Sequence, residues 1–360
     1  MDQYSRMLAK QREYFRSGKT LPYEERKRNL GKLKDALRKH ESEIIAALHE
    51  DLGKSPFEAY ATEIGIVYGE IGYLMKNLRK LMGKHRVPSP ITIFKASSYT
   101  VSEPLGNTLI LSPWNYPLQL TMVPLAGAIA GGNTAIVKPS RYSAATSALM
   151  KRIIEEAFPS EYIAVFEGGH ETNTALLSLR YDFVFFTGSP NVGRIVAEKC
   201  APNLTPCVLE LGGKSPVIID GTVDMKLVSR RLAWGKLLNA GQTCVAPDYV
   251  LVKEGFQDRL IEELGKRFRE MFSDNPLAAE EFPKIINAKH FERIKGLIEG
   301  SATAIGGRSD EKTMRIEPTV LYPVKDTDPV MQEEIFGPVL PILTYNSLDE
   351  AIDFIRKREK

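Results

Sequence analysis

Cysteine and histidine are scarce in this chain. Of 360 residues only 3 are cysteine and 5 are histidine. Cys200, Cys207 and Cys244 cannot all pair and show no CxxC spacing, which argues against a disulfide framework and for a reducing compartment such as the cytoplasm. The histidines are scattered and form no HExxH or similar ligand pattern, so no metal is expected. Long apolar runs are missing too. The longest, Leu118 to Ala130, is interrupted by Gln119, Thr121, Pro124 and Gly127 and is too short to span a membrane. The N-terminus, Met1-Asp2-Gln3-Tyr4-Ser5-Arg6, opens a polar helix rather than a signal peptide. No sign of charge dominates: the net charge is +3 with 26% of residues charged, which gives no reason to expect a nucleic-acid partner. The basic clusters Arg26-Lys27-Arg28 and Lys32 to Lys39 sit beside acids and read as solvated helix faces. There is no repeat of fixed period and no low-complexity segment.

What is present is an ordinary soluble composition, 43% hydrophobic, in a chain long enough for two domains. Residues 1 to 82 read as helices. Leu30, Leu33, Leu37, Ile44, Ile45 and Leu48 recur at helical steps, and a further helix is expected from about Pro56 to Leu81. Ile91-Thr92-Ile93-Phe94 and Ser98-Tyr99-Thr100-Val101 are short β-type runs around a polar turn, so a hairpin is expected there. A two-stranded unit is marginal alone, which makes it a candidate for pairing with a second subunit. From Pro104 the rhythm becomes strand, then helix. Strands are expected at Asn107–Leu111, Thr134–Lys138, Tyr162–Phe166, Asp182–Phe186 and Pro206–Leu211, with helices between them. That alternation implies an α/β fold with a parallel sheet, which binds nucleotides at the carboxyl ends of its strands. A second α/β region follows from Val217 to the closing helix Leu348–Arg356.

Cys244 lies in Leu238-Asn239-Ala240-Gly241-Gln242-Thr243-Cys244-Val245-Ala246-Pro247, between a helical and a strand-like segment. Small and turn-forming residues around a thiol suit a backbone that exposes sulfur at a crevice, so Cys244 reads as a nucleophile; otherwise it is a small buried hydrophobe. Phe186-Thr187-Gly188-Ser189-Pro190-Asn191-Val192-Gly193 reads as strand, turn and helix start, where backbone N–H groups and the Ser189 hydroxyl can meet a phosphate; an ordinary strand-to-helix turn fits equally well. Gly213-Lys214-Ser215 is not a P-loop, because Val208 stands where the first glycine belongs and Pro216 follows. Glu210 ends an apolar strand, where a carboxylate can reach a crevice, be desolvated and act as a base. Asn115 stands in Ser112-Pro113-Trp114-Asn115-Tyr116-Pro117, held between prolines and aromatics; a fixed side-chain amide there is a candidate oxyanion donor or simply a turn former.

Pro113-Trp114-Asn115-Tyr116-Pro117, Lys138-Pro139-Ser140, Phe186-Thr187-Gly188-Ser189, Leu209-Glu210-Leu211-Gly212-Gly213-Lys214, Gly241-Gln242-Thr243-Cys244 and Glu333-Glu334-Ile335-Phe336-Gly337-Pro338 together resemble the aldehyde dehydrogenase superfamily, in its order. Ala246-Pro247-Asp248-Tyr249 and the short N-terminus resemble its class 3 branch, which takes fatty and aromatic aldehydes. The resemblance implies a Rossmann-like NAD(P)-binding domain from residues 1–84 and 104–212, an oligomerisation hairpin at 85–103 and a catalytic domain at 213–360. It implies Cys244 as nucleophile, Asn115 with the Cys244 N–H as oxyanion donors, and Glu210 as the base that hydrolyses a thioester. It further implies a cofactor site made of Trp114, Lys138, Ser140, Arg141, Gly188, Ser189, Gly193, Leu211, Glu334 and Phe336.

The sequence departs from the family pattern in two places. Many members carry an acid after the Lys-Pro-Ser motif, whereas this chain has Arg141, so NADP is expected to be accepted at least as well as NAD. The chain also stops after the Glu334 motif, where the family continues for roughly a fifth of its length, so the catalytic domain is expected to be C-terminally incomplete. The full-length form is expected to be a homodimer, and a membrane anchor in the remaining tail stays open. A CoA-acylating variant is disfavoured by Glu210, an inactive nucleotide-binding fragment remains as an alternative, and a cysteine hydrolase is weakened because no histidine lies near the motifs.

Overall fold

A computed structural model, which describes residues 2–359, shows a chain that divides into two compact units. Up to Ala47, and again from Tyr60 to Glu210, the chain forms the first; Leu48–Ala59 and the chain from Leu211 onward form the second.

The first unit contains an isolated pair, β1 (His85–Val87) and β2 (Ser98–Thr100), and a five-stranded sheet of β3 (Asn107–Leu111), β4 (Thr134–Lys138), β5 (Ile163–Val165), β6 (Phe183–Gly188) and β7 (Cys207–Leu211). The sheet order is β5-β4-β3-β6-β7, and β3, β4, β5 and β6 pair in parallel. β3 and β4 are buried along their whole length, as strands covered on both faces must be. Leu109 and Ile136 at their centre are fully buried, each worth about 1.5–3 kcal/mol. The apolar helix Gln119–Gly131 follows β3, and Gly132 at φ 78 ends it. Among the described residues no helix is long and apolar enough to cross a membrane.

The second unit carries a sheet of order β10-β13-β14-β9-β8. Its strands are β8 (Pro216–Ile219), β9 (Tyr249–Lys253), β10 (Thr303–Ile305), β13 (Thr319–Leu321) and β14 (Val339–Tyr345), and a separate two-residue hairpin joins β11 (Ser309–Asp310) to β12 (Arg315–Ile316). β8, β9, β14 and β13 pair in parallel, and β10 closes one edge antiparallel. The helices Met225–Leu237, Gln257–Phe272 and Ala288–Ile298 pack onto it around Phe268, Phe282, Phe291 and Ile342.

Several sequence expectations need correction. The hairpin exists, but its first strand is His85–Val87. Ile91–Ile93 is a single helical turn, because Pro90 presets the turn and its carbonyl accepts the Ile93 N–H at 3.1 Å. The helix expected over 56–81 is broken by a wide i→i+5 turn at Tyr60–Ile64, where the chain passes from one unit to the other. Residues 48–59, grouped from sequence with the cofactor domain, pack with the second unit: the Lys284 N–H donates to the Leu52 carbonyl at 2.9 Å. Strand β13 and the β11–β12 hairpin were not anticipated.

Candidate active site

In the first unit the sheet register gathers three loops. Leu111 is opposite Lys138 on one side and Phe186 on the other, so the segments after β3, β4 and β6 leave from one carboxyl edge. The chain builds outward from β3 to β4 and β5, then returns to β6 beside β3, and this reversal is where such sheets open a crevice.

Asn115, in the loop after β3, is 3% exposed. Its surroundings are fixed by local bonds: the Ser112 N–H donates to the Lys138 carbonyl at 3.2 Å, the Ser112 and Thr121 hydroxyls lie 2.6 Å apart, and Thr121 donates to the Pro117 carbonyl. The next helix start is capped by Glu63, whose carboxylate accepts the Leu118 and Gln119 N–H groups at 2.8 and 3.2 Å. Glu63 is fully buried and was not singled out from sequence. Trp114 beside Asn115 is half-buried.

Lys138 ends β4 and is 5% exposed; burial, with Arg141 adding like charge, pushes its ammonium down to about 8. Ser140 accepts the Tyr142 N–H at 3.2 Å. Arg141 is exposed, its guanidinium 5.1 Å from the centre of the Tyr142 ring. Gly188 ends β6, and a Cβ there would come within 2.6 Å of the Phe186 ring, so any side chain would have to displace that ring. Ser189 caps the helix Pro190–Cys200 without spending its hydroxyl on a cap bond, and Gly193 donates its N–H to the Ser189 carbonyl. Glu210 and Leu211, on β7, are both exposed. The desolvation expected for Glu210 is therefore not seen in this chain; an outer strand leaves its carboxylate in water.

The second unit holds Cys244 in the segment between the helix Met225–Leu237 and β9. Asn239, Ala240 and Gly241 are successively left-handed, with φ of 53, 51 and 75. Each non-glycine residue there costs about 1–2 kcal/mol, so the conformation has to be held from outside. A Cβ on Gly241 would stand 2.2 Å from the Gly337 carbonyl oxygen, which bars every other residue. Glu58 accepts the Asn239 N–H at 2.6 Å. Gln242 is fully buried; its amide donates to the Asn239 and Lys284 carbonyls, both at 3.0 Å, and accepts the Ile286 N–H at 3.1 Å. Cys244 itself is half-buried, next to a Val245 that is 78% exposed, and is in no disulfide.

The loop before β14 is anchored just as tightly. Lys214 pairs with Asp248 at 2.5 Å and donates to the Val330 and Glu333 carbonyls; Asp248 also accepts the Ile335 N–H at 2.9 Å. Arg293 pairs with Glu333 at 3.0 Å and donates to the Glu334 and Ile335 carbonyls. Phe336 follows at φ 51. Glu334 fills the space over Gly212, where a Cβ would meet its Oε2 at 2.0 Å. Burial, with Asp248 nearby, pushes its carboxyl up to about 7. Glu58, Gln242, Lys214, Asp248 and Arg293 were not read as site residues. The only sequence sign of them is the position of Gln242, Lys214 and Asp248 inside or beside the motifs. Among the described residues no cluster could hold a metal ion.

Whole-chain comparisons place the chain in a family. The family model described as the aldehyde dehydrogenase family matches residues 1–357. The chain is 48% identical over 349 residues to the 4,4'-diaponeurosporen-aldehyde dehydrogenase of Staphylococcus aureus, covering 96% of this chain and 76% of that protein. It is 44% identical to human aldehyde dehydrogenase family 3 member B1, covering 100% of this chain and 77% of that one. The fold superposes on substrate-bound Staphylococcus aureus AldH with a TM-score of 0.98 at 46% identity, over 100% of this chain and 79% of that one. A Mycobacterium tuberculosis aldehyde dehydrogenase complexed with NAD+ matches at a TM-score of 0.85 and 28% identity, over 96% and 73% of the two chains. An ordered set of motifs, a parallel sheet with a nucleotide-type carboxyl edge, a cysteine on a locked loop and these likenesses lead to one conclusion: the chain belongs to the aldehyde dehydrogenase family and is an oxidoreductase acting on aldehydes.

Proposed function

We propose that the chain oxidises medium- to long-chain aliphatic or aromatic aldehydes to carboxylic acids with NAD+ or NADP+, with Cys244 as nucleophile, Asn115 as oxyanion donor and Glu210 as base. The observation that carries this reading is the Cys244 loop. The half-buried Cys244 comes three positions after a run of left-handed residues, Asn239 to Gly241, that Glu58 and Gln242 hold in one geometry. Strain fixed by surrounding structure marks functional positions.

In this scheme the Cys244 thiolate adds to the aldehyde carbon, and the oxygen becomes an alkoxide. The buried Asn115 amide and the Cys244 N–H donate to that oxygen. NAD(P)+, when bound, accepts the hydride that leaves the former aldehyde carbon. A thioester on Cys244 remains. Glu210 takes a proton from water as it attacks the thioester; the carboxylic acid leaves and the Cys244 thiolate returns.

The residues present fit the cofactor. Lys138 is desolvated at a carboxyl edge, Ser189 offers an uncommitted hydroxyl at a helix start, and Glu334 keeps a buried Oε1 with no hydrogen-bond partner among the described residues. We assign Lys138 and Ser140 to the adenosine ribose, Gly188, Ser189 and Gly193 to the pyrophosphate, and Glu334 to the nicotinamide ribose, with Trp114, Leu211 and Phe336 packing beside it. Arg141, exposed beside Lys138, supports acceptance of a 2′-phosphate. The exposed Ile91 and Phe94, 84% and 77% accessible, support the β1–β2 region as the surface of a homodimer, and cysteine usage supports a cytoplasmic enzyme.

Rapid mixing of the chain with a series of aldehydes of increasing length tests the proposal. A burst of NAD(P)H in the wild type that disappears in Cys244→Ala is expected. A burst that survives in Cys244→Ala overturns the assignment of the nucleophile.

A further inference from the structure

Beneath the Glu334 loop the second unit buries a cluster of charges drawn from separate segments. Most of them are satisfied. Lys214 is bound to Asp248 and to the Val330 and Glu333 carbonyls, Asp248 to Lys214 and the Ile335 N–H, and Arg293 to Glu333 and the loop carbonyls. Two groups have polar atoms left over. Lys236, in the last turn of the helix that leads to Cys244, is 1% exposed, and its Nζ has no hydrogen-bond partner among the described residues. Glu334 is the other, through Oε1. A buried ammonium without a partner is expensive, and an apolar residue of similar volume in place of a buried charge is often neutral or stabilising. Its retention calls for something that its charge does.

The helix end that carries Lys236 and the loop that carries Glu334 converge on Gly241, where a Cβ would stand 3.0 Å from the Lys236 carbonyl oxygen and 2.2 Å from that of Gly337, and each charged group lies in the other's field. Burial pushes Lys236 down to about 8, while Asp248 and Glu334 pull it up and Lys214 opposes them. Around Glu334, burial and Asp248 favour the neutral acid; the Gly213 N–H, Lys236 and Arg293 favour the carboxylate. Arg293 and Lys214 are already engaged in anchoring the loop backbone. Lys236 anchors nothing, so its charge is the part of this cluster left to act on Glu334.

We propose that Lys236 is a positioning residue for cofactor binding, its buried ammonium keeping Glu334 ionised so that the carboxylate can accept both ribose hydroxyls. This rests on Glu334 being the nicotinamide-ribose ligand. The sign follows directly. The carboxylate form exists above the Glu334 pKa, so cofactor affinity falls as pH drops through it. Removing the Lys236 charge moves that fall to higher pH.

Fluorescence titration of NADH and NADPH binding to the full chain, from about pH 6 to about pH 9, around the range where such groups titrate, tests this. In Lys236→Met and Lys236→Gln the midpoint of the affinity change is expected to rise by at least about one pH unit, with a Kd at neutral pH about tenfold weaker that recovers at high pH. Lys236→Arg, which keeps the charge, is expected to retain the wild-type midpoint. Neutral variants with the wild-type midpoint overturn the inference. Glu334→Gln separates the two layers: no loss of affinity in that variant overturns the ribose reading itself, whereas a loss there without a shift in Lys236→Met overturns the role of Lys236 alone. Should the neutral variants fail to fold, infrared titration of the cofactor-free wild type decides. The carboxylic band that is absent in Glu334→Gln is expected only below about pH 7, leaving a carboxylate at alkaline pH, and a band that persists to about pH 9, as for a buried acid with no cation to ionise it, overturns the proposal.

Discussion

The two sheets use opposite ends of their strands. In the first unit the candidate residues follow β3, β4 and β6, at carboxyl ends. In the second, Lys214 precedes β8, Cys244 and Asp248 precede β9, and Glu334 precedes β14, all at amino ends. For the phosphate turn and the Cys244 loop the difference follows from where the helices point. A loop from strand to helix presents a helix N-terminus with spare N–H donors, which suits a phosphate. A loop from helix to strand arrives from a helix C-terminus, which suits a cation, and Lys236 stands in that last turn. The carboxyl edge of the first unit is thus of the kind that suits an anion. The second offers the Cys244 sulfur no dipole assistance and must supply rigidity and buried charge instead.

Substitutions can break this division of labour. Cys244→Ala should lower kcat by about 10⁴-fold or more while leaving NAD(P)H binding intact by fluorescence; loss of binding as well would show that the Cys244 loop holds the cofactor and does not serve chemistry alone. Gly241→Ala should abolish turnover almost as fully, because its Cβ has no room beside the Gly337 carbonyl. A crystal structure with an unmoved loop and normal activity would refute that steric argument. Glu210→Gln should keep the NAD(P)H burst and slow the steady state by about 10²–10⁴-fold; a lost burst would place Glu210 before the thioester rather than after it. Arg141→Glu should lower the NADP/NAD ratio of kcat/KM by about 10–100-fold through a charge-assisted bond, with the aldehyde KM unchanged. An unaltered ratio would remove cofactor choice from the first unit's edge.

The smallest effect concerns the first unit's stability alone. His40 is 7% exposed between Glu43 and Glu156, at 2.6 and 2.9 Å, with Arg152 on Glu43 and Lys39 on Glu156. Hydrogen bonds to Glu43 and Glu156 raise its pKa above the ordinary value. Its contribution is thus complete below the unfolded value of about 6.5 and is lost as pH rises through the folded one. His40→Gln should lower Tm by about 2 °C at acidic pH and have little effect at high pH; an equal effect at both would assign His40 a packing role only.

The parallel sheet of the first unit and the position of the cysteine loop between a helix and a strand were legible because their signals are local. Strand-length apolar runs and a thiol among turn formers both show within a few positions. Glu58, Glu63, Gln242 and Lys236 were not legible. Each is an ordinary polar residue on or beside a helix, and what it does depends on a partner far along the chain or on burial. Ile91–Ile93 misled in the opposite way: its β-branched residues suggest a strand, but Pro90 and the turn it starts prevail. The Glu210 expectation failed on burial, because an apolar strand does not reveal from sequence that it lies at the sheet's edge.

The assignment of Leu48–Ala59 to the second unit also sets a timetable for synthesis. Glu58 is 181 positions from Asn239, the residue whose N–H it accepts. At roughly 5–20 residues per second the ribosome takes on the order of 10–35 s to deliver that partner. During that interval the rest of the first unit, Tyr60 to Glu210, is made and can begin to fold, while the helix Glu41–Leu52 leads into a segment with nothing yet to dock against. A chaperone that shields residues 48–59 on the nascent chain would have its greatest effect in that window.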